Sequence, residues 1–478
     1  MISYIFMTTH PFPWQINAGS SHKHNIALRD FSQGEVFTWT QLTEKIASTA
    51  EMLVAQGVRT QSGVALCGKN GFALLCCYLA GLQLNARVLV LNPAFCHEKR
   101  TALCRQNAID LMIDFTQSKS VFIKSENENV AECECIDSVL PACTMTLTSG
   151  SAGMPKAVLH SVRNHLDNAR GVCELMHFSR DSSWLLSLPL YHVSGQGIVW
   201  RWLLQGAELQ LPAEDFYHGV ITASHASLVP TQAQRLLQYL AERTSYGVKS
   251  AVNIRHILLG GSHITKKISE NLTALGIRTY VGYGMTEMAS TVFAKEYDGK
   301  AGVGRPLRGR EFQLVNEEIQ LRGAGLGLGY WLKGKPVPLT NSAGWLQTKD
   351  KGVWDGENLQ VLGRLDNMFI SGGENIQPEE IERILQRHDQ VEVAFVLPID
   401  DEEFGQRPVA MVQFKSCFSK SAVKNLQVWL ADKLEKFKRP VRYFPLDTAT
   451  LAQQGNIKLS RVRLKQELNK ILGIKSCD

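Results

Sequence analysis

The chain has 478 residues, of which 44% are hydrophobic, 8% aromatic and 20% charged, a composition that excludes disordered, collagen-like and disulfide-scaffold proteins. A net charge of +6 comes from 51 Lys/Arg and 45 Asp/Glu, and residues 431–478 hold eleven of the former and five of the latter, so the basicity is a C-terminal property. That charge fits either a solvated surface or a polyanionic partner such as nucleic acid, a membrane surface or a phosphorylated ligand, and length alone suggests about three domains.

At the N-terminus the apolar stretch 2–7 lacks the basic lead and the apolar core of an export signal, and nowhere do about 18 apolar residues run together. Residues 40–56 repeat apolar groups at Leu42, Ile46, Ala50 and Leu53, one helical face, with Thr40 as its N-cap and Gly57 as its stop. A strand at 64–67, a helix at 72–84 and a strand at 87–91 follow, an alternation that predicts a parallel α/β layer. Further strands are expected at 145–148, 157–160, 183–187, 226–229, 256–259 and 279–282, with a helix at 164–176. After about residue 300 short strands at 311–315, 318–321 and 359–362 lie among glycines and suggest an antiparallel, barrel-like portion. From residue 379 a helix, strands at 391–398 and 409–414 and a helix at 422–434 predict a second, smaller α+β domain. Eleven cysteines, an odd number with the tight pairs Cys76-Cys77 and Cys133-Cys135, do not suit a Cys-x-x-Cys zinc site and read as reduced, mostly buried thiols of a cytoplasmic protein.

Chemistry concentrates in a few segments. Thr146 to Lys156, with Thr148, Ser149, Gly150, Ser151, Ala152 and Gly153, is a hydroxyl- and glycine-rich loop between two strands, whose N–H groups and hydroxyls suit phosphate and whose Lys156 adds charge. A plain Ser/Gly turn is the alternative for this loop alone. It is not a nucleoside-triphosphatase loop, and the one near match, Gly329 to Lys335, has Pro336 where a hydroxyl residue would hold Mg²⁺. Downstream, Gly282-Tyr283-Gly284-Met285-Thr286-Glu287 offers an aromatic to stack on a base, a hydroxyl for phosphate and a carboxylate for Mg²⁺. Thr348-Lys349-Asp350, Gly363-Arg364-Leu365-Asp366-Asn367, Ser371-Gly372-Gly373 and Gly455-Asn456-Ile457-Lys458 complete the series.

In the order and spacing of these motifs, over nearly its whole length, the chain resembles the adenylate-forming enzymes: acyl- and aryl-CoA synthetases, luciferases and peptide-synthetase adenylation domains. The resemblance implies two domains rather than three. A large N-terminal domain, 1–365, would combine α/β layers with a distorted antiparallel barrel, and a smaller mobile α+β domain, 366–478, would turn on a hinge at Asp366. It implies that ATP lies with its phosphates at Thr148, Ser149, Gly150, Ser151, Gly153 and Lys156, near Thr286, its adenine beside Gly282, Tyr283 and Gly284, and its ribose on Asp350 with Arg364 near. Mg²⁺ would sit at Glu287. Lys458 matches the family's catalytic lysine for adenylation, and a domain rotation would then bring Ser371, Gly372 and Gly373 to the site for coenzyme A. Ala152 departs from the family's usual Thr and removes a hydroxyl worth ~1 kcal/mol.

The middle of the chain, Trp184 to Gly197, Trp200-Arg201-Trp202 and His225 to Gln232, resembles the branch of the family that activates 2-succinylbenzoate. This implies a ligase joining that acid to coenzyme A through an acyl adenylate; ligation of another aromatic or fatty acid, or loading of a carrier protein, is the alternative. The acid has a second carboxylate that must be recognised without reacting. Arg201, flattened between Trp200 and Trp202 and helped by Ser227 and the turn Gly260-Gly261-Ser262, is the candidate reader, with His192 lining the acyl pocket. A snorkelling arginine and a satisfied core histidine are the bland alternatives. The partners implied are small molecules, with no nucleic acid and no membrane span, and a homo-oligomer is compatible with the sequence. Lys436, Lys438 and Arg439 are candidate contacts for the phosphates of coenzyme A.

Overall fold

The computed structural model describes residues 11–117, 120–124, 140–148, 154–245, 252–261, 264–371, 374–401, 404–447 and 461–473. Packing divides the chain into two units, Met1–Glu311 with Arg322–Leu346, and Phe312–Leu321 with Gln347–Asp478.

The first unit carries two eight-stranded sheets. In one, Glu35–Thr38 pairs antiparallel with Ile26–Asp30, then Glu208–Leu211, Ser183–Leu185, His225–Leu228, His256–Leu259 and Arg278–Met285 follow in parallel, and Ser290–Glu296 closes the edge antiparallel. In the other, Leu111–Asp114, Gly63–Cys67, Arg87–Leu91 and Cys143–Leu147 are parallel neighbours, while Val121–Lys124 on one side and Ala157–Ser161, Gly329–Leu332 and Lys335–Val337 on the other run antiparallel. The expected parallel layer is therefore the centre of a mixed sheet.

Alternation along each strand decides which core it joins, since successive side chains point to opposite faces. Val64, Leu66, Val88 and Val90 enter one cluster with Trp184, Leu186, Leu258 and the helices Trp39–Ala55 and Phe72–Gln83, so this core has both sheets as walls. Ala65, Cys67, Leu89 and Leu91 face a second cluster, and Leu185, Ala226, Leu228 and Ile257 a third. The helix Trp39–Ala55 starts two residues earlier than an N-cap at Thr40 would place it. Its N-cap is Thr38, not Thr40, because Thr38 and Gln41 form a capping box: the Gln41 N–H donates to Thr38 Oγ1 (3.3 Å) and the Thr38 N–H to Gln41 Oε1 (2.9 Å).

In the second unit a four-stranded sheet, Arg310–Val315, Glu318–Gly323, Leu346–Trp354 and Leu359–Arg364, occupies the region read as barrel-like, with its first two strands and its third crossing between units along the chain. A five-stranded sheet follows, with Val391–Asp401 and Gly405–Phe414 as its long antiparallel pair and the helices Pro378–Leu385 and Lys420–Leu430 in its core. Eight free cysteines lie among the described residues, five of them buried, and only Cys96 and Cys417 are exposed. Burial pushes the thiols of Cys76 and Cys77 up to about 12.

Candidate active site

The predicted nucleotide-site residues of the first unit sit at or beside the ends of its strands. In open α/β sheets that is where ligands bind, because the chain turns there and leaves backbone groups unpaired. The phosphate loop joins Cys143–Leu147 to Ala157–Ser161, an antiparallel hairpin whose neck is closed by the Thr148 N–H donating to the Lys156 carbonyl (2.8 Å), with Thr148 Oγ1 on the same oxygen (3.3 Å). Ser149, Gly150, Ser151, Ala152 and Gly153 lie outside the described residues, as do Ser262, Gly372, Gly373 and Lys458.

Gly282, Tyr283 and Gly284 occupy the end of Arg278–Met285, and the short 3-10 turn Thr286–Met288 carries Thr286 and Glu287. Gly284 is obligatory by close approach: a Cβ there would lie 2.1 Å from the Ser290 carbonyl oxygen. Glu287 is fixed twice. Its carbonyl accepts from the Gly327 N–H (2.8 Å) and its carboxylate Oε1 from the Tyr330 hydroxyl (2.8 Å). Beneath the turn, His160 is fully buried, faced by the backbone of Thr286 and Glu287 without a hydrogen bond of good geometry, and burial holds its imidazole at about 4. It stands 5.1 Å from the His165 ring, which bonds to Thr144 (2.8 Å) and stacks on Trp200.

The acyl-side residues come from the helix Val193–Gln205 and its neighbours. His192 is the N-cap, half-buried, with its ring tilted against Tyr191 at 4.7 Å. Gly195 lets this helix start against the Pro189 turn, where a Cβ would lie 2.1 Å from the Pro189 carbonyl oxygen. Arg201 is 1% exposed, and desolvation lowers its guanidinium to about 10. It donates to Ser227 Oγ (Nη1, 3.4 Å) and to Thr291 Oγ1 (Nη2, 3.4 Å), and no carboxylate among the described residues lies within ion-pair distance. A second buried guanidinium, Arg310, adds like charge nearby while donating to the carbonyls of Asn168 (2.7 Å) and Thr291 (3.1 Å).

The expected aromatic walls are corrected. Trp200 and Trp202 point elsewhere, their indole N–H groups donating to the Tyr78 hydroxyl (3.2 Å) and the Ala27 carbonyl (2.9 Å), because helix neighbours one residue apart diverge by about 100°. The ring over which Arg201 lies is Trp184, 5.0 Å away. Ser227 and the Gly260 turn end the adjacent parallel strands His225–Leu228 and His256–Leu259, and Gly261 has a positive φ of +86°. Thr291, Trp184, Arg310 and Tyr330 escaped the sequence reading; only strand pairing, Thr291 opposite Gly284 and Tyr330 opposite Val158, brings two of them to the motifs.

In the second unit Asp350 and Arg364 face each other across paired strands, Arg364 Nη1 lying 3.3 Å from Asp350 Oδ1. Arg364 also grips Asp366 with two bonds of 2.9 Å, and this holds the Asp366 carboxyl below the usual range. Ser371 is buried in the strand Phe369–Ser371. Of the candidate cations for coenzyme A, Lys438 pairs with Glu380 (2.8 Å) and Glu435 (3.4 Å), and Arg439 donates to the Leu434 carbonyl (2.8 Å); both are engaged in folding this unit, and Lys436 alone of the three is exposed.

A family model for the AMP-binding enzyme matches residues 15–331, and one for the AMP-binding enzyme C-terminal domain matches 380–456. A 2-succinylbenzoate–CoA ligase of Haemophilus influenzae is 54% identical over 466 residues, covering 96% of this chain and 99% of its own. That of Escherichia coli is 41% identical over 452 residues, covering 92% and 95%. Among solved structures, a variant of E. coli MenE with bound OSB-AMS, 37% identical, covers 97% of this chain and 100% of its own with a TM-score of 0.83.

Proposed function

The chain belongs to the AMP-binding enzyme family, and we propose from that premise how its residues divide the work of a 2-succinylbenzoate–CoA ligase. The enzyme is an AMP-forming acid–thiol ligase that converts 2-succinylbenzoate, ATP and coenzyme A to 2-succinylbenzoyl-CoA, AMP and diphosphate, a step of menaquinone biosynthesis.

In the first half-reaction an oxygen of the succinyl carboxylate attacks the α-phosphorus of ATP and diphosphate departs with the electrons of the broken P–O bond. Two anions meet, so cations must be aimed at the developing charge. Lys156 at the neck of the phosphate loop and Lys458 are assigned that role, Tyr283 the adenine, and Asp350 with Arg364 the ribose. Glu287 suits Mg²⁺, a hard cation: its carboxylate is half-exposed and fixed through one oxygen, and among the described residues Oε2 makes no hydrogen bond. Mg²⁺, when bound, supplies neutralisation of phosphate charge. In the second half-reaction the thiolate sulfur of coenzyme A attacks the acyl carbon, AMP leaves, and the Ser371-Gly372-Gly373 loop serves the thiol after rotation at Asp366. The reaction is placed in the cytoplasm, with small molecules as its partners.

The observation that carries the choice of acid is the buried, carboxylate-free guanidinium of Arg201. By donating to the oxygens of Ser227 and Thr291 it leaves each hydroxyl its own proton to donate, and those two donors are assigned to the benzoate carboxylate. Incubation with ATP, Mg²⁺, coenzyme A and 2-succinylbenzoate should yield AMP and the thioester. Arg201→Leu should raise KM for the acid by about tenfold or more and leave that for ATP nearly unchanged, since a hydrogen bond to a charged group contributes ~1.5–3 kcal/mol. Equal rises for both substrates would overturn the assignment. Lys458→Ala should abolish adenylation yet still transfer a supplied acyl adenylate to coenzyme A, and loss of both would refute its role.

A further inference from the structure

Tyr330 touches both of the charged groups that the first half-reaction requires. It lies in Gly329–Leu332, the strand that pairs antiparallel with Ala157–Ser161, and that register sets it opposite Val158, two residues after Lys156. Its hydroxyl donates to Glu287 Oε1 at 2.8 Å, and the Lys156 ammonium stands 5.3 Å from the centroid of its ring. A phenol suits both contacts: its O–H makes a charge-assisted bond to a carboxylate, and its ring face attracts a cation. Lys156 and Glu287 carry opposite charges, one over the ring and the other at its hydroxyl, yet among the described residues no ion pair joins them.

We infer that Tyr330 is a positioning residue that keeps Lys156 and Glu287 from neutralising each other, reserving the ammonium for phosphate and one carboxylate oxygen for the metal. The inference rests on the assignment of Glu287 to Mg²⁺ made above. Without the ring, the lysine stem is long enough to fold onto the carboxylate, and the resulting pair would withdraw both charges from the nucleotide at once. With the ring in place each is held by a partner that leaves it usable. Binding Oε1 also restricts the carboxylate to one free oxygen, which fits a small octahedral cation that keeps several of its waters.

The test is equilibrium binding rather than turnover, with Mn²⁺ as the probe metal, read by its electron paramagnetic resonance, and α,β-methylene-ATP, which cannot transfer its adenylyl group. Tyr330→Phe keeps the ring and removes the hydroxyl, and should weaken Mn²⁺ binding about tenfold, as loss of a partner that orients a metal ligand does, while the analogue at saturating metal binds nearly as before. Tyr330→Leu removes ring and hydroxyl and should weaken both ligands. The decisive variant is Lys156→Met: removing the ammonium should strengthen Mn²⁺ binding more in the Tyr330→Leu background than in the wild type, an excess that neither general loosening of structure nor simple removal of a like charge produces. Unchanged Mn²⁺ affinity in Tyr330→Phe, or a gain from Lys156→Met no larger in the Tyr330→Leu background than in the wild type, overturns the inference. Glu287→Gln separates the two levels: if it loses Mn²⁺ binding while the tyrosine variants behave as wild type, only the role of Tyr330 falls, and if it binds Mn²⁺ normally, the metal assignment falls and the inference with it.

Discussion

Arg201 illustrates how far a single residue can be read before its neighbours are known in space. Its type and position named it as a reader of an acid, and the absence of a carboxylate partner among the described residues agrees with a side chain that needs an anion from outside. Its aromatic support was misread, because adjacency in sequence is not adjacency on a helix: the ring it lies over, Trp184, sits mid-way along the strand Ser183–Leu185. The two tryptophans therefore make opposite predictions. Trp184→Leu should raise KM for 2-succinylbenzoate several-fold and also cost stability. Trp202→Leu, whose indole bonds the Ala27 carbonyl and stacks on Trp39 in the core, should cost about 3 kcal/mol of stability and leave KM unchanged in the fraction that folds. Steady-state kinetics beside urea denaturation checks the pair, and a KM shift confined to Trp202→Leu would reverse the assignment of the wall.

At the scale of elements, strands and helices were legible to within a few residues, because burial on one or both sides imposes their periodicity; the helix expected at 422–434 is Lys420–Leu430, and the strand expected at 409–414 begins at Gly405. His256–Leu259 matched its expected bounds, and Pro378–Leu385 was displaced by one residue. What stayed hidden was pairing. Gly329–Leu332 looked like part of a failed nucleotide loop until the sheet placed it beside Ala157–Ser161. The same holds in the second unit, where Pro378–Leu385 gathers chain from three places. Arg461, at the start of Arg461–Leu472, bonds to Glu382 (2.6 Å), Glu379 (3.2 Å) and the Val396 carbonyl (2.6 Å), while Glu379 accepts from Asn367 (2.5 Å) and Gln377 (2.5 Å). Glu382 is buried, and desolvation raises its carboxyl to about 7 against the pull of Arg461. Arg461→Met would leave that carboxylate without its cation and should destabilise the second unit by about 3 kcal/mol, measured by chemical denaturation, since breaking one side of a buried pair strands the other charge. A change below ~0.5 kcal/mol would mean the pair behaves as an exposed one.

Across the molecule, the first unit buries imidazoles that resist protonation. His160, His225 and His256 are each held at about 4, from 6.5, by desolvation first, and His165 lies well below 6.5 for the same reason. Between pH 4 and 6.5 the unfolded chain therefore binds more protons than the folded one, so stability is lost as pH falls through that window and is fully present above it. For the fully buried His160 the loss by pH 5 is about 2 kcal/mol. The melting temperature should fall by several degrees from pH 7 to 5, and His160→Gln should make that slope shallower; a flat profile would show that these rings find partners when charged. None of this was visible in the sequence, where thirteen histidines carry no sign of which are buried.

The distribution of thiols gives an experimental handle on the proposed hinge. Among the described residues each unit presents one exposed cysteine, Cys96 in the first and Cys417 in the second, while Cys76, Cys77 and Cys143 combine burial with thiols pushed up to about 12 and so resist alkylation. With Cys133, Cys135 and Cys477 replaced by serine, maleimide dyes should label the native chain at one position on each unit. Energy transfer between them, recorded from ATP addition through thioester release, would then test the rotation proposed at Asp366: a change in transfer on ligand addition is the expected outcome, and a constant signal would count against it.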